Sequence, residues 1–162
     1  MPGIPLHLIQ SFQSTCLVEA TGKKADFLRH VSNRLGLDGL VVANYRAEDL
    51  ARNTGYRESF DAVTVRAVAS FDVISEYCLP FLAPGGCMIA MKGRVDHDER
   101  RAGERAAEML GGELEAVIRV PFIQEIEQKE RHLIVLRKVD PTPESYPRGI
   151  GVPRKSPLGT EA

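Results

Sequence analysis

The segment Thr15–Ala43, TCLVEATGKKADFLRHVSNRLGLDGLVVA, decides the architecture. Its opening, Thr15-Cys16-Leu17-Val18-Glu19, is short, apolar and β-prone, and reads as a strand. Thr21 stands where it can cap a helix. Phe27, Leu28, Val31 and Leu35 then share one helical face, and Gly36 ends the pattern. Leu40-Val41-Val42-Ala43 is a second strand. Strand, helix and strand in immediate succession make a βαβ unit, in which the two strands lie parallel.

The same alternation extends toward the C-terminus. Phe60–Val65 reads as a third strand, followed by a helix with Ile74, Tyr77, Cys78 and Phe81 at i, i+3, i+4 and i+7. Pro84-Gly85-Gly86 turns the chain into the strand Cys87–Met91. Asp96 caps a helix carrying Ala102, Ala106, Met109 and Leu110, which Gly111-Gly112 stops. Two more strands, near Ala116–Val120 and His132–Arg137, have no helical pattern between them and so form an antiparallel pair. The expectation is an α/β fold: a doubly wound, mostly parallel sheet with an antiparallel last strand. Residues 1–140 form the domain, and 141–162 a basic Pro/Gly-rich tail.

Composition sets outer bounds. With 162 residues, 43% of them apolar, the chain has the size and composition of one ordinary globular domain. A chain of this size buries roughly two-thirds of its unfolded surface and needs no staples. No apolar run approaches the ~18 residues that span a bilayer, and no secretory leader opens the sequence. Cys16, Cys78 and Cys87 are odd in number, form no C-x-x-C, and read as buried free thiols of a reducing, cytoplasmic compartment. The net charge of −1 argues against coating nucleic acid through a bulk positive field. A local excess exists nonetheless. Lys129, Arg131, Arg137, Lys138, Arg148, Arg154 and Lys155 stand against three acids over the same stretch. Fifteen of the 21 cations are Arg, whose planar fork suits phosphates and bases. The plainer reading of that run is a solvated face with a loose tail.

In an open α/β sheet ligands gather at the carboxyl ends of the strands. Glu19 ends the first strand, where an acid takes the two hydroxyls of a nucleotide ribose, or else pairs with Lys23 or Lys24. Ala47-Glu48 follows the second strand, and either holds an adenine edge or begins a helix with favourable negative charge. Arg66 leaves the third strand directly, an unusual position for a cation without a function. His7, His30, His97 and His132 have no metal-ligand spacing, and Asp96-His97-Asp98-Glu99 reads as a charged helix start. G-x-S-x-G, P-loop and G-x-G-x-x-G motifs are all absent.

Seven stretches together carry a resemblance. They are Pro2–Leu6 (PGIPL), Lys24–Gly36 (KADFLRHVSNRLG), Arg46-Ala47-Glu48, Arg57–Val68 (RESFDAVTVRAV), Glu76–Gly93 (EYCLPFLAPGGCMIAMKG), Arg131–Val135 (RHLIV) and Tyr146–Leu158 (YPRGIGVPRKSPL). The chain resembles the bacterial small-subunit (16S) ribosomal RNA methyltransferase G family over nearly its whole length. That family methylates guanine N7 of 16S rRNA with S-adenosyl-L-methionine as cofactor. The resemblance implies a Rossmann-like class I methyltransferase sheet. It implies that Glu19, Ala47, Glu48 and Arg66 line the cofactor site, Glu19 standing where the family more commonly has Asp. Arg66 is then the candidate catalytic residue, positioning cofactor and target base. Charge and placement make Lys92, Arg131, Arg148 and Lys155 candidates for RNA phosphates. The implied partner is 16S rRNA or the small ribosomal subunit, with no metal and no membrane.

In the family, P-G-I-P-L follows a strand and a G-x-G-x-G-F turn, which this sequence lacks. The expected sheet therefore lacks its first, central strand. Its neighbours, at 15–19 and 60–65, must close up and pair or leave backbone groups unsatisfied. A remnant that binds RNA or the ribosome without catalysis is the alternative, and a nicotinamide-dependent oxidoreductase has only fold analogy behind it.

Overall fold

A computed structural model describes residues 2–10, 12–66, 69–121 and 130–160; Ala67, Val68 and Lys129, used in the sequence reading, lie outside these. In chain order the elements are α1 (Gly3–Ile9), β1 (Thr15–Val18), α2 (Gly22–Leu35), β2 (Leu40–Ala43), α3 (Ala47–Leu50) and β3 (Phe60–Arg66). There follow α4 (Phe71–Cys78) with a tighter turn at Leu79–Phe81, β4 (Leu82–Lys92), α5 (His97–Met109), β5 (Gly112–Arg119), β6 (His132–Lys138) and α6 (Val152–Lys155).

The βαβ unit closes as its pattern requires: β1 and β2 are parallel, Thr15 beside Leu40 and Val18 beside Ala43. The other four strands are ordered β3-β4-β6-β5. β3 and β4 are parallel, while β6 runs between β4 and β5 and antiparallel to both. The last strand thus inserts beside the parallel pair, and β5 takes the edge. β1 and β3 do not close up on each other; they belong to separate sheets.

The expected turn at Pro84-Gly85-Gly86 is a bulge inside β4. Phe60 lies beside Leu82, but Ala62 already lies beside Cys87. Gly85 takes φ +90°, and a Cβ on Gly86 would come within 2.9 Å of the carbonyl oxygens of Ala83 and Asp61. Only glycine fits that close backbone approach.

The main core lies where α4 and α5 cover the sheet. Alternate residues of two central strands, Met88 and Ala90 of β4 and Ile134 and Leu136 of β6, are fully buried against Phe71, Ile74, Leu79 and Leu110. A smaller cluster of Ala43, Leu50, Ala51 and Phe81, packed by Cys16, Tyr56, Phe60 and Val63, joins the two sheets.

Two helical faces differ from the sequence reading. α2 buries Ala25, Leu28 and Ser32, whereas Phe27 and Leu35 are 57% and 53% exposed. Small side chains at 25 and 32 let the helix lie close on its narrow two-stranded sheet, which turns the larger apolar residues outward. In α5, Ala102 and Ala106 are buried, as is Leu110 at its end, but Met109 is exposed. The helix α1 was not anticipated. It docks through buried Ile4 and through His7, whose Nε2 donates to the Asp38 carbonyl (3.1 Å) and whose Nδ1 accepts from the Thr15 hydroxyl (2.9 Å). Asp96 caps α5 by accepting from the Glu99 N–H at 2.9 Å, and left-handed Gly36 ends α2, both as expected. Thr21 precedes α2 without a side-chain capping bond.

The segment after residue 140 is packed down, in contrast to a loose tail. Arg57 donates to the carbonyls of Thr142 (2.7 Å) and Tyr146 (2.8 Å). Glu58 Oε1 accepts from the Thr142 N–H, Arg105 Nε donates to the Gly159 carbonyl, and Leu158 enters the main core.

The contact between α4 and α5 leaves no room at Gly103, where an added Cβ would lie 2.0 Å from the ring of Phe71. An exposed helical Gly→Ala change gains about 1 kcal/mol, whereas overpacking a core costs about 1–3 kcal/mol. Gly103→Ala is therefore expected to lower stability by about 2 kcal/mol, a Tm drop of roughly 5 °C for a domain of this size, read by thermal denaturation. An unchanged or raised Tm would show that Phe71 yields freely.

Candidate functional site

The carboxyl ends of the parallel strands β3 and β4 and the start of antiparallel β6 meet around a cavity of about 510 Å³. Arg66, Lys92, Arg131 and His132 stand on its wall, with apolar surface from Val65, Ile74 and Met91. Three of the residues singled out from sequence, Arg66, Lys92 and Arg131, thus come together.

Their situations differ. Arg66 is the last residue of β3 and its side chain is exposed. Lys92, the last residue of β4, is only 14% exposed; its Nζ donates to the Ala69 carbonyl at 2.9 Å and lies 2.5 Å from Glu99 Oε1. That ammonium is neutralised and held in place on the wall. Arg131 is exposed just before β6. His132 places Nδ1 3.2 Å from the Gly93 carbonyl. A carbonyl only accepts, so Nδ1 is the donor of that bond. Sequence reasoning weighed His132 only as a metal ligand and missed it here; its neighbour Arg131 at a strand start was the available signal.

Glu19, Ala47 and Glu48 form a second group, beyond the ends of β1 and β2, and none of them lines the cavity. Glu19 Oε1 accepts from the Thr21 N–H at 2.8 Å, and the Glu19 carbonyl accepts from Asn44 Nδ2 at 2.8 Å. No ion pair with Lys23 or Lys24 is formed among the described residues, and Oε2 takes no hydrogen bond from them. Ala47 opens α3 and packs on the smaller apolar cluster. Glu48 is buried, and its Oε1 accepts from the Gly151 N–H at 3.0 Å. Its carboxylate anchors the C-terminal segment.

The basic run between 129 and 155 is dispersed by the fold. Arg148 grips fully buried Glu76 with Nε (3.0 and 3.2 Å to the two oxygens) and Nη2 (2.7 Å), and its backbone N–H adds a fourth bond at 2.8 Å. The Glu76 carboxylate raises the Arg148 pKa. A guanidinium so engaged is part of the packing that holds the C-terminal segment to α4. Arg137 pairs with Glu115 at 2.8 Å. Lys138 is fully buried, donating to the Leu110 carbonyl and the Thr142 hydroxyl beside Glu58, and burial pushes its pKa down to about 8. Arg154 and Lys155 are exposed on α6. Burial pushes the Cys78 thiol up to about 12, whereas Cys16 and Cys87 are only half-buried, against the expectation of three buried thiols. Among the described residues no cluster of His, Cys, Asp or Glu could hold a metal, and no helix is long and apolar enough to cross a membrane.

Comparison with solved structures defines the class. The crystal structure of a 16S rRNA (adenine(1408)-N(1))-methyltransferase mutant with its cosubstrate, from Catenulisporales acidiphilia, aligns with a TM-score of 0.63 at 12% identity, covering 79% of this chain and 74% of that one. The chain has the fold of the class I S-adenosylmethionine-dependent methyltransferases. The family model GidB, described as rRNA small subunit methyltransferase G, matches residues 1–134, and the chain belongs to that family. It is 47% identical over 159 residues to the ribosomal RNA small subunit methyltransferase G of Rubrobacter xylanophilus, covering 98% of this chain and 61% of that protein. It is 42% identical to the same-named protein of Lactobacillus acidophilus, covering 97% of this chain and 65% of that one. The chain thus spans under two-thirds of the length of these relatives.

Removing Arg148 would leave the Glu76 carboxylate buried without its partner, which costs about 3–5 kcal/mol. Arg148→Ala is expected to lose stability on that scale in urea denaturation, and Glu76→Gln/Arg148→Ala together less than either change would suggest alone. Wild-type stability in Arg148→Ala would show that the packing does not depend on the guanidinium.

Proposed function

We propose that this chain forms the methyl-transfer domain of an S-adenosylmethionine-dependent methyltransferase acting on guanine N7 of 16S rRNA, in the cytoplasm, on free rRNA or the small ribosomal subunit. The observation that carries the reading is the cavity at the ends of β3 and β4 with Arg66 and Arg131 on its wall, in a chain of this family.

The donor set at the neighbouring strand ends suits the cofactor. Glu19 is held by one carboxylate oxygen, leaving the other for a ribose hydroxyl, and Ala47 offers backbone at the start of α3. Glu48 supports that start from beneath through its bond to Gly151. S-adenosylmethionine supplies a methyl group already activated on a sulfonium. The protein has little bond chemistry to add, because guanine N7 is an open acceptor with a free lone pair and needs no general base. Its work is alignment, which is worth on the order of 7–11 kcal/mol at best. Arg66 orients the reacting partners from the end of β3, and the apolar wall of Val65, Ile74 and Met91 receives the face of an unstacked base. Arg131 at the rim and Lys155 on α6 hold RNA phosphates.

Two outcomes test this. Glu19→Gln weakens charge-assisted bonds to a diol, each worth about 1.5–3 kcal/mol, and is expected to raise the Kd for S-adenosylmethionine tenfold or more in calorimetry. An unchanged Kd would leave Glu19 as a turn residue. Arg66→Ala is expected to abolish methyl transfer to small-subunit RNA with Tm within about 2 °C of wild type, since the side chain is exposed. Retained transfer would remove Arg66 from the site, and absence of any heat with S-adenosylmethionine in the wild type would overturn the reading as a whole.

A further inference from the structure

Glu99 lies in the first turn of α5, and its carboxylate is committed to the cavity wall. Oε1 accepts from the Phe71 N–H at 2.9 Å and pairs with Lys92 Nζ at 2.5 Å. The same Nζ donates to the Ala69 carbonyl at 2.9 Å. One carboxylate and one ammonium therefore grip two backbone groups of the short segment Ala69–Phe71, and Ala69 and Lys92 both line the cavity.

Such a grip is needed at this point. The Phe71 N–H opens α4 and has no partner within its own helix, and Ser70 before it provides no side-chain cap. A carboxylate from another helix satisfies that donor and lies favourably against the positive end of α4. The same α5 face carries Gly103 one turn further on, where the Phe71 ring rests. Phe71 is thus fixed twice, by its ring and by its N–H, and the two fixings come from positions i and i+4 of one helix. Lys92 is 14% exposed and Glu99 23%, so their attraction is less screened than that of a surface pair.

We infer that Glu99 is a positioning residue of the site: directly and through Lys92, it sets the Ala69–Phe71 segment that forms part of the cavity wall. The inference rests on the methyltransferase reading for its effect on rate, and on the hydrogen bonds alone for its effect on the wall. It predicts a split. Loosening the wall lowers kcat, because the target base is held less well in line, while the KM for S-adenosylmethionine stays put, because Glu19 and Ala47 lie outside this cavity and Arg66, at the end of β3, is outside the Ala69–Phe71 segment.

The test compares Glu99→Ala, Glu99→Gln and Lys92→Met with Glu104→Ala, a change on the same helix whose carboxylate pairs only with Arg100 at the surface (2.7 Å). Amide exchange at Ala69 and Phe71, followed by NMR on the full chain, is expected to accelerate at least tenfold in Glu99→Ala and to change little in Glu104→Ala. In methyl transfer to small-subunit RNA, Glu99→Ala should lower kcat tenfold or more with KM for S-adenosylmethionine within twofold. Glu99→Gln keeps an acceptor for the Phe71 N–H and should recover part of both. Unchanged exchange at Phe71 in Glu99→Ala would overturn the proposal, as would faster exchange with an unaltered kcat, which would make the pair a structural tie alone. If the wild type transfers no methyl group, the methyltransferase reading falls. The exchange measurement still decides the wall assignment: acceleration confined to Ala69 and Phe71 supports it, and its absence refutes it.

Discussion

A fully buried carboxylate at Glu76, inside α4, constrains the rest of the molecule. An ionised group in that setting costs several kcal/mol unless it is paired and hydrogen-bonded. All four hydrogen bonds it receives among the described residues come from Arg148, three from two side-chain nitrogens and one from the backbone. The helix that fills the core is therefore stable in place only with the C-terminal segment laid over it. That segment then reaches Glu48 through Gly151, Arg57 through three carbonyls, and the main core through Leu158. Because the β1–β2 pair shares no ladder with the four-stranded sheet, these bonds matter beyond the tail itself. With the Phe81 cluster, they join the part of the chain that carries Glu19, Ala47 and Glu48 to the part that carries Arg66 and Arg131.

Local patterns were readable from sequence and distant pairings were not. The βαβ unit, the Asp96 cap and the Gly36 stop depend on neighbours within a turn, and all appear as the residues require. The buried face of α2 depends on what the helix packs against, so Phe27 and Leu35 misled: apolar periodicity does not say that a narrow sheet favours Ala25 and Ser32 at the contact. The cations from 129 to 155 looked like one patch because a count of charges carries no direction. Successive residues of a strand point to opposite faces, so in β6 Arg137 reaches Glu115 while Lys138 enters the core beneath Leu110. Arg148 and Glu76 are 72 positions apart, and nothing local marks them as partners.

The candidate site shows the same division. The rule that ligands gather at strand ends was enough to single out Arg66, Lys92 and Arg131, which the fold brings to one cavity. It could not separate them by task. A lysine closing a strand looks alike in sequence whether it meets a phosphate or a carboxylate. Only the arrival of Glu99 from α5 makes Lys92 part of the wall.

That neutralisation suits the proposed chemistry. Transfer of a sulfonium methyl to guanine N7 conserves total charge but moves the positive charge from sulfur to the base. A wall of bare cations around the base would oppose the charge as it arrives, and at a few ångströms in a partly dry cavity the opposition amounts to several kcal/mol per cation. Glu99 cancels Lys92 on the wall. Arg66 and Arg131 also stand on the wall, and on the proposed reading RNA phosphates bring negative charge to this rim when substrate is bound. On that reading the substrate itself contributes to the balance of charge at the cavity.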